Sequence, residues 1–210
     1  NKENVKLVHF IGKDIVYFHL LFWPAMLKTF DINNLDEVFV HGFLTIEGKK
    51  MSKSKGNFIL ADNALKYANP DYYRYYLSAK LNTDISDIDF ALDDFIQKIN
   101  SDLIGKFINI GSRTQNFLVK LNNSEIAAGN IKKSVNFKPN YQEIIDLIDK
   151  KEYSKALKNI MVIADKINAY VSNQEPWNKA KNGEEDKCIE ICSEALNVFK
   201  DLTILLQPFI

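Results

Sequence analysis

A chain of 210 residues with zero formal net charge, 46% hydrophobic and 26% charged, suits one large globular domain or two small ones with a core. The balance of 27 Lys and Arg against 27 Asp and Glu excludes a binder that holds nucleic acid by bulk charge, so any anion site must be local. No apolar run approaches the ~20 residues that cross a bilayer, so no membrane partner is expected.

The start, NKENVKLVHFIGKD, lacks the apolar stretch and cleavage site of a signal peptide. Within it Val5–Gly12 predicts a buried parallel strand. Ile15, Phe18, Leu21, Phe22 and Leu27 then recur at helical spacing, with Pro24 set to kink or restart the helix. Asp36–Ile46 alternates as a strand and turns at Glu47-Gly48. Strand, helix, strand is the unit of a nucleotide-binding α/β sheet, whose ligands sit at the carboxyl ends of strands.

Next comes GKKMSKSKGNFI, Gly48 to Ile59, with lysines at 49, 50, 53 and 55 and no acid. Such crowding costs stability unless an anion settles there; the bland alternative is a solvated loop. A helix starting at Asn69-Pro70 and an acidic connector follow, with Asp89 a candidate cap for the next helix. From about Ala91 the pattern is helical: about 91–120, 141–149, 153–171 and 185–206, separated by polar stretches at 122–140 and around Pro176. The fold class is mainly α with an α/β part: the end of a Rossmann-like fold (1–95), then an antiparallel helix bundle (96–210).

Cys188 and Cys192 lie four apart with no nearby histidine and read as ordinary helix residues in a reducing cytoplasm; no metal site is expected. Only Arg74 and Arg113 are arginines, which suggests that those positions need a planar guanidinium. Asp14 reads as a candidate helix cap, and His19 as a structural residue or a ligand-pocket residue. Trp177 is core filler or a stacking platform. His9 and His41 have weaker claims.

Lys50–Ser54, KMSKS, matches letter for letter the signature loop of class I aminoacyl-tRNA synthetases, and Gly12–His19, GKDIVYFH, fits the G-x-D-x-x-x-x-H element of that class. With HFIGKDIVYFH, FWPAML, VFVHGF, KMSKSKGN, DIDF, INIGSR and QEPWNKAK, the chain resembles the methionyl-tRNA synthetases over essentially its whole length. The resemblance implies an ATP-dependent ligase that forms methionyl adenylate and then esterifies methionine tRNA, releasing AMP and diphosphate. By the same resemblance Lys53 and Lys50 serve the phosphates, with Ser52 and Ser54 as supporting donors. Gly12, Asp14 and Met51 join the two lysines around ATP, and Phe18, His19 and Trp23 line a methionine pocket. Asn109, Arg113, Pro176 and Trp177 read the CAU anticodon. The implied partners are methionine, ATP with Mg2+, and initiator and elongator methionine tRNA, in the cytoplasm, with no DNA.

The HIGH-type signature of the class and the connective insertion with its usual zinc cluster are not found here, so any zinc is expected only upstream. The chain is therefore expected to be a carboxyl-terminal portion of an enzyme, inactive alone, with an apolar sheet edge that makes it self-associate. Three alternatives differ in kind: another class I synthetase, a non-catalytic tRNA-binding module, and a small nucleotidyltransferase.

Overall fold

The computed structural model describes residues 6–32, 36–52, 54, 56–127 and 140–210. Val5 at the head of the expected first strand, Lys53 of the lysine loop, and 128–139 of the polar stretch lie outside the described residues. Two units emerge: Asn1–Tyr67 with Leu81–Leu92, and Ala68–Lys80 with Asp93–Ile210. The helix after Asn69-Pro70, on the near side of the division expected at residue 95, thus packs with the helical unit, because its two buried tyrosines find their partners there.

In the first unit β1 (Val8–Gly12) runs parallel to β2 (Glu37–His41), in register from Val8 opposite Glu37 to Gly12 opposite His41. The crossover is a 3₁₀ turn at Lys13–Ile15, a π-helical stretch at Phe18–Phe22 and α1 (Trp23–Thr29). Pro24 lies inside a continuous helical run, one residue after the Trp23 N–H reaches back to the Phe18 carbonyl; its missing N–H removes one donor from that run, just where the π-helical stretch gives way to α1. The expected burial of this region is corrected: Ile11 and Leu27 are buried, but Phe10, Phe18, Leu21 and Phe22 are each more than half exposed. Two strands offer too little surface to cover a helix face of that width.

The strand expected over Asp36–Ile46 is cut at Gly42. A Cβ there would lie 2.0 Å from the Ser86 carbonyl oxygen, so only glycine permits the two backbones to approach. Beyond the cut, β3 (Leu44–Ile46) pairs antiparallel with β4 (Lys49–Lys50) and parallel with β5 (Ile88–Phe90). A single helical turn, α2 (Ala61–Ala64), follows the lysine loop.

The second unit opens with α3 (Pro70–Lys80), whose first turn is held by the Asn69 side chain accepting from the Asp71 N–H at 2.9 Å. Tyr75 and Tyr76 are fully buried and donate to Asp102 (2.8 Å) and Asp94 (2.9 Å). One helical run then passes from α4 (Leu92–Lys98) through a π segment (Ile99–Ile108) into α5 (Asn109–Leu121). Next come α6 (Tyr141–Asp149), α7 (Tyr153–Gln174), α8 (Pro176–Lys181) and α9 (Glu185–Leu206). Asn140 caps α6 by accepting from the Glu143 N–H at 3.2 Å.

Helix α9 runs antiparallel to both α5 and α7. Gly111 faces Phe199 while Leu118 packs with Cys188 and Cys192, and Tyr170 meets Glu194 while Tyr153 meets Phe209. The run 99–121 and α7 therefore lie side by side in the same direction. Lys106 pairs with Asp165 (2.8 Å), Asn109 with Asn168 (3.0 Å) and Arg113 with Ser172 (3.1 Å) in matched steps. At the centre of the core lies the α7 stripe: helical spacing predicts Tyr153, Ala156, Leu157, Ile160, Ala164, Ile167 and Val171 inward, and all are buried except Tyr153, which is half-buried.

Candidate functional sites

The lysine loop rises from a two-residue hairpin. Glu47 (φ 50°) and Gly48 (φ 71°) both take the left-handed conformation that a tight β-hairpin turn needs. Asp89, expected as a helix cap, lies in β5 instead. Its carboxylate accepts from the Gly48 N–H (2.7 Å) and the Thr45 hydroxyl (2.6 Å) and so pins the turn. Asn57 closes the loop from below: it accepts from the Ser52 N–H (2.9 Å) and donates to the Lys50 carbonyl (3.1 Å). The Ser52 and Ser54 hydroxyls share a hydrogen bond of 2.9 Å, while Lys53 is outside the described residues.

The glycine–aspartate segment and the lysine loop meet over one ring. The Lys50 ammonium stands 4.0 Å, and the Lys13 ammonium 4.9 Å, from the centroid of Phe43. Lys13 also pairs with Asp87 at 2.7 Å, and Asp87 accepts from the Phe43 N–H at 2.8 Å. The Lys13 hydrogen bond, with that N–H, holds the Asp87 carboxyl below the usual carboxylate range. Two cations over one ring with a single carboxylate is an arrangement that an added anion completes.

Gly12 ends β1 and Asp14 stands exposed in the following turn. His19 is half-buried, with its Nδ1 at 3.0 Å from Nδ1 of His9. Phe18 lies against Phe22, and Trp23 opens α1; both Phe18 and Trp23 are exposed. His41 stacks on Phe10 and keeps a buried Nδ1 without a hydrogen-bond partner among the described residues.

The helical unit brings Arg113, Pro176 and Trp177 into one corner, with Asn109 one helical turn before Arg113. Glu175, in left-handed geometry (φ 47°), turns the chain from α7 into α8, buries Pro176 and leaves Trp177 38% exposed. The Arg113 guanidinium lies 5.2 Å from the Trp177 ring and donates to the Ser172 hydroxyl at 3.1 Å. Asn109, one helical turn earlier, donates to Asn168 at 3.0 Å. A part-exposed ring beside a guanidinium, with an amide one turn away on the same helix as that guanidinium, offers the groups that stack on an unpaired base and bond its edges. Arg74, by contrast, donates to the Pro208 carbonyl at 3.3 Å, tying α3 to the end of the chain. Burial raises the Cys188 thiol and pushes the Cys192 thiol up to about 12, so neither is a nucleophile at neutral pH.

Phe43, Asp87, Asn57, Asn168 and Ser172 escaped assignment from sequence, and His9 had only a weak claim. Asn57 alone carried a local signal, since an asparagine closing a glycine turn commonly bonds backbone nearby. The others act on partners distant along the chain.

The model of the tRNA synthetases class I (M) matches residues 1–115. The methionine–tRNA ligase of Ralstonia nicotianae is 48% identical over 209 residues, 96% of this chain and 30% of that protein. That of Thiobacillus denitrificans is 47% identical over 98% of this chain and 30% of its own. The chain thus spans about 30% of the length of these curated relatives. Among solved structures, Mycobacterium tuberculosis methionyl-tRNA synthetase in complex with methionyl-adenylate superposes with a TM-score of 0.85 at 25% identity, covering 96% of this chain and 41% of that one. Its apo form gives 0.78 at 23%, with 97% and 41% covered. A family match over more than half the chain, beside near-half identity to named relatives, leads to one assignment: the chain belongs to the class I tRNA synthetases (M).

Proposed function

We propose that this chain serves ATP-dependent activation of methionine and its transfer to methionine tRNA, initiator and elongator alike, in the cytoplasm. The observation that carries this reading is the meeting of Lys13 and Lys50 over Phe43 at the base of the KMSKS hairpin. Methionine carboxylate attacks the α-phosphate of ATP and diphosphate leaves. Negative charge grows on the transferring and leaving groups, and ammonium groups held beside them lower the barrier. Lys50 and Lys53 take the phosphates, Ser52 and Ser54 add hydrogen bonds, and Gly12, Asp14 and Met51 border the nucleotide, with Asp14 on the ribose hydroxyls. Phe18, His19 and Trp23 receive the methionine side chain, whose thioether packs well on rings. Among the described residues no group of three or more His, Cys, Asp or Glu side chains is placed to hold a metal ion. Magnesium bound to the phosphates of ATP would supply further neutralising charge there, beside Lys50 and Lys53. In the helical unit Asn109, Arg113, Pro176 and Trp177 form the anticodon reader.

The test is methionine-dependent ATP–diphosphate exchange. It is run with the 210-residue chain alone and with the chain grafted in place of the matching part of the Ralstonia nicotianae relative. The graft is expected to be active and the chain alone inactive. Lys53→Ala in the graft is expected to slow adenylate formation more than it weakens methionine binding. An inactive but folded graft would leave the chain as a tRNA-binding module.

A further inference from the structure

We infer that Asn168 is a positioning residue that sets which way the Asn109 amide faces an anticodon base; this rests on the base-reading role proposed for Asn109. Asn168 is half-buried on α7. Its Nδ2 lies 2.8 Å from the Lys106 carbonyl and 3.0 Å from the Ala164 carbonyl. Both of those oxygens can only accept, so the atom facing them must be the NH2 group. With both of its protons engaged, Asn168 turns its Oδ1 outward without the option of a flip. That oxygen accepts from Asn109 Nδ2 at 3.0 Å. Asn109 is thereby held with its own Oδ1 and its second N–H available to a ligand, in a fixed order. An amide free to rotate would offer donor and acceptor interchangeably and distinguish bases poorly. The orientation originates in two backbone carbonyls, one in the π segment and one in α7, and reaches the ligand through two side chains.

The consequence concerns discrimination more than affinity. A residue that merely supported the fold would, when changed, weaken binding to every anticodon alike. A residue that orders one amide should lose the preference for one base at one position. The 210-residue chain is titrated at one fixed salt concentration with a CAU anticodon stem-loop and with loops changed singly at each anticodon position. Asn168→Asp keeps the oxygen but removes both anchoring protons. Asn168→Ser, whose hydroxyl still reaches the i−4 carbonyl, replaces it if the first variant melts early by circular dichroism. Trp177→Ala runs beside them. The expected result is an about 3- to 10-fold loss of discrimination at one anticodon position, a hydrogen bond's worth, with the other two unchanged. Discrimination unchanged at all three, or reduced equally, while Trp177→Ala still weakens binding, overturns the role of Asn168 and leaves the anticodon reading in place. No preference for CAU together with no effect of Trp177→Ala overturns both.

Discussion

The two units use apolar residues in opposite ways. In the helical unit the apolar stripe of α7 is buried against its neighbours, and even its polar residues are paired: Tyr75 and Lys98 both bind the buried Asp102. In the first unit Phe18, Leu21 and Phe22 carry the same kind of periodicity yet are each more than half exposed, as are Phe10 on β1 and Met26 on α1. Hydrophobic spacing marks a face suited to burial; whether it is buried depends on how much partner surface the fold supplies. The helical unit should therefore carry most of the stability and the first unit most of the tendency to associate.

The most severe break in this contrast is Asp102→Ala. It leaves the Tyr75 hydroxyl buried without its acceptor and Lys98 without its partner, and should cost about 3–5 kcal/mol in urea melts followed by circular dichroism. Ile167→Ala, a truncation in a fully buried position, should cost about 2–5 kcal/mol in the same melts. A cost below about 1 kcal/mol for either would mean that the core is looser than its burial indicates. Gly42→Ala forces a methyl group against the Ser86 carbonyl and should cost about 1–3 kcal/mol, showing how far the first unit depends on one close approach.

Acid sharpens the comparison. Burial by itself would raise the pKa of Asp102, but hydrogen bonds from Lys98, Tyr75 and Ser101 outweigh it and hold the carboxyl below the usual range. Its folded pKa is depressed, so the stabilisation is present above the ordinary carboxylate pKa and is lost as pH falls through the folded value. The melting temperature should drop as pH falls below the ordinary carboxylate range and through the depressed folded value, and drop less in Asp102→Asn. At the small end, Phe18→Ala should change stability by no more than about 0.5 kcal/mol, because the ring is already exposed. Light scattering should nonetheless show self-association of the chain that Phe18→Asp with Leu21→Asp reduces. A monodisperse monomer at all concentrations would remove the association half of the contrast.

Much was determined by sequence alone. The bounds of α6 and α9, the stripe of α7, the strand–helix–strand opening and the KMSKS loop all follow from local signals: periodicity, the Asn69-Pro70 helix start and the Glu47-Gly48 turn. These depend on neighbours within one or two turns of chain, which a sequence displays directly. Tertiary structure decided what depends on distant partners. It moved Asp89 from a helix cap to the brace of the lysine hairpin and set Lys13 beside Lys50 over Phe43. It also laid the run containing Asn109 along α7 in the same direction, so that Asn168 and Ser172 meet Asn109 and Arg113. Side-chain hydrogen bonds across some sixty residues leave no periodic trace, because their geometry exists only once the helices have packed.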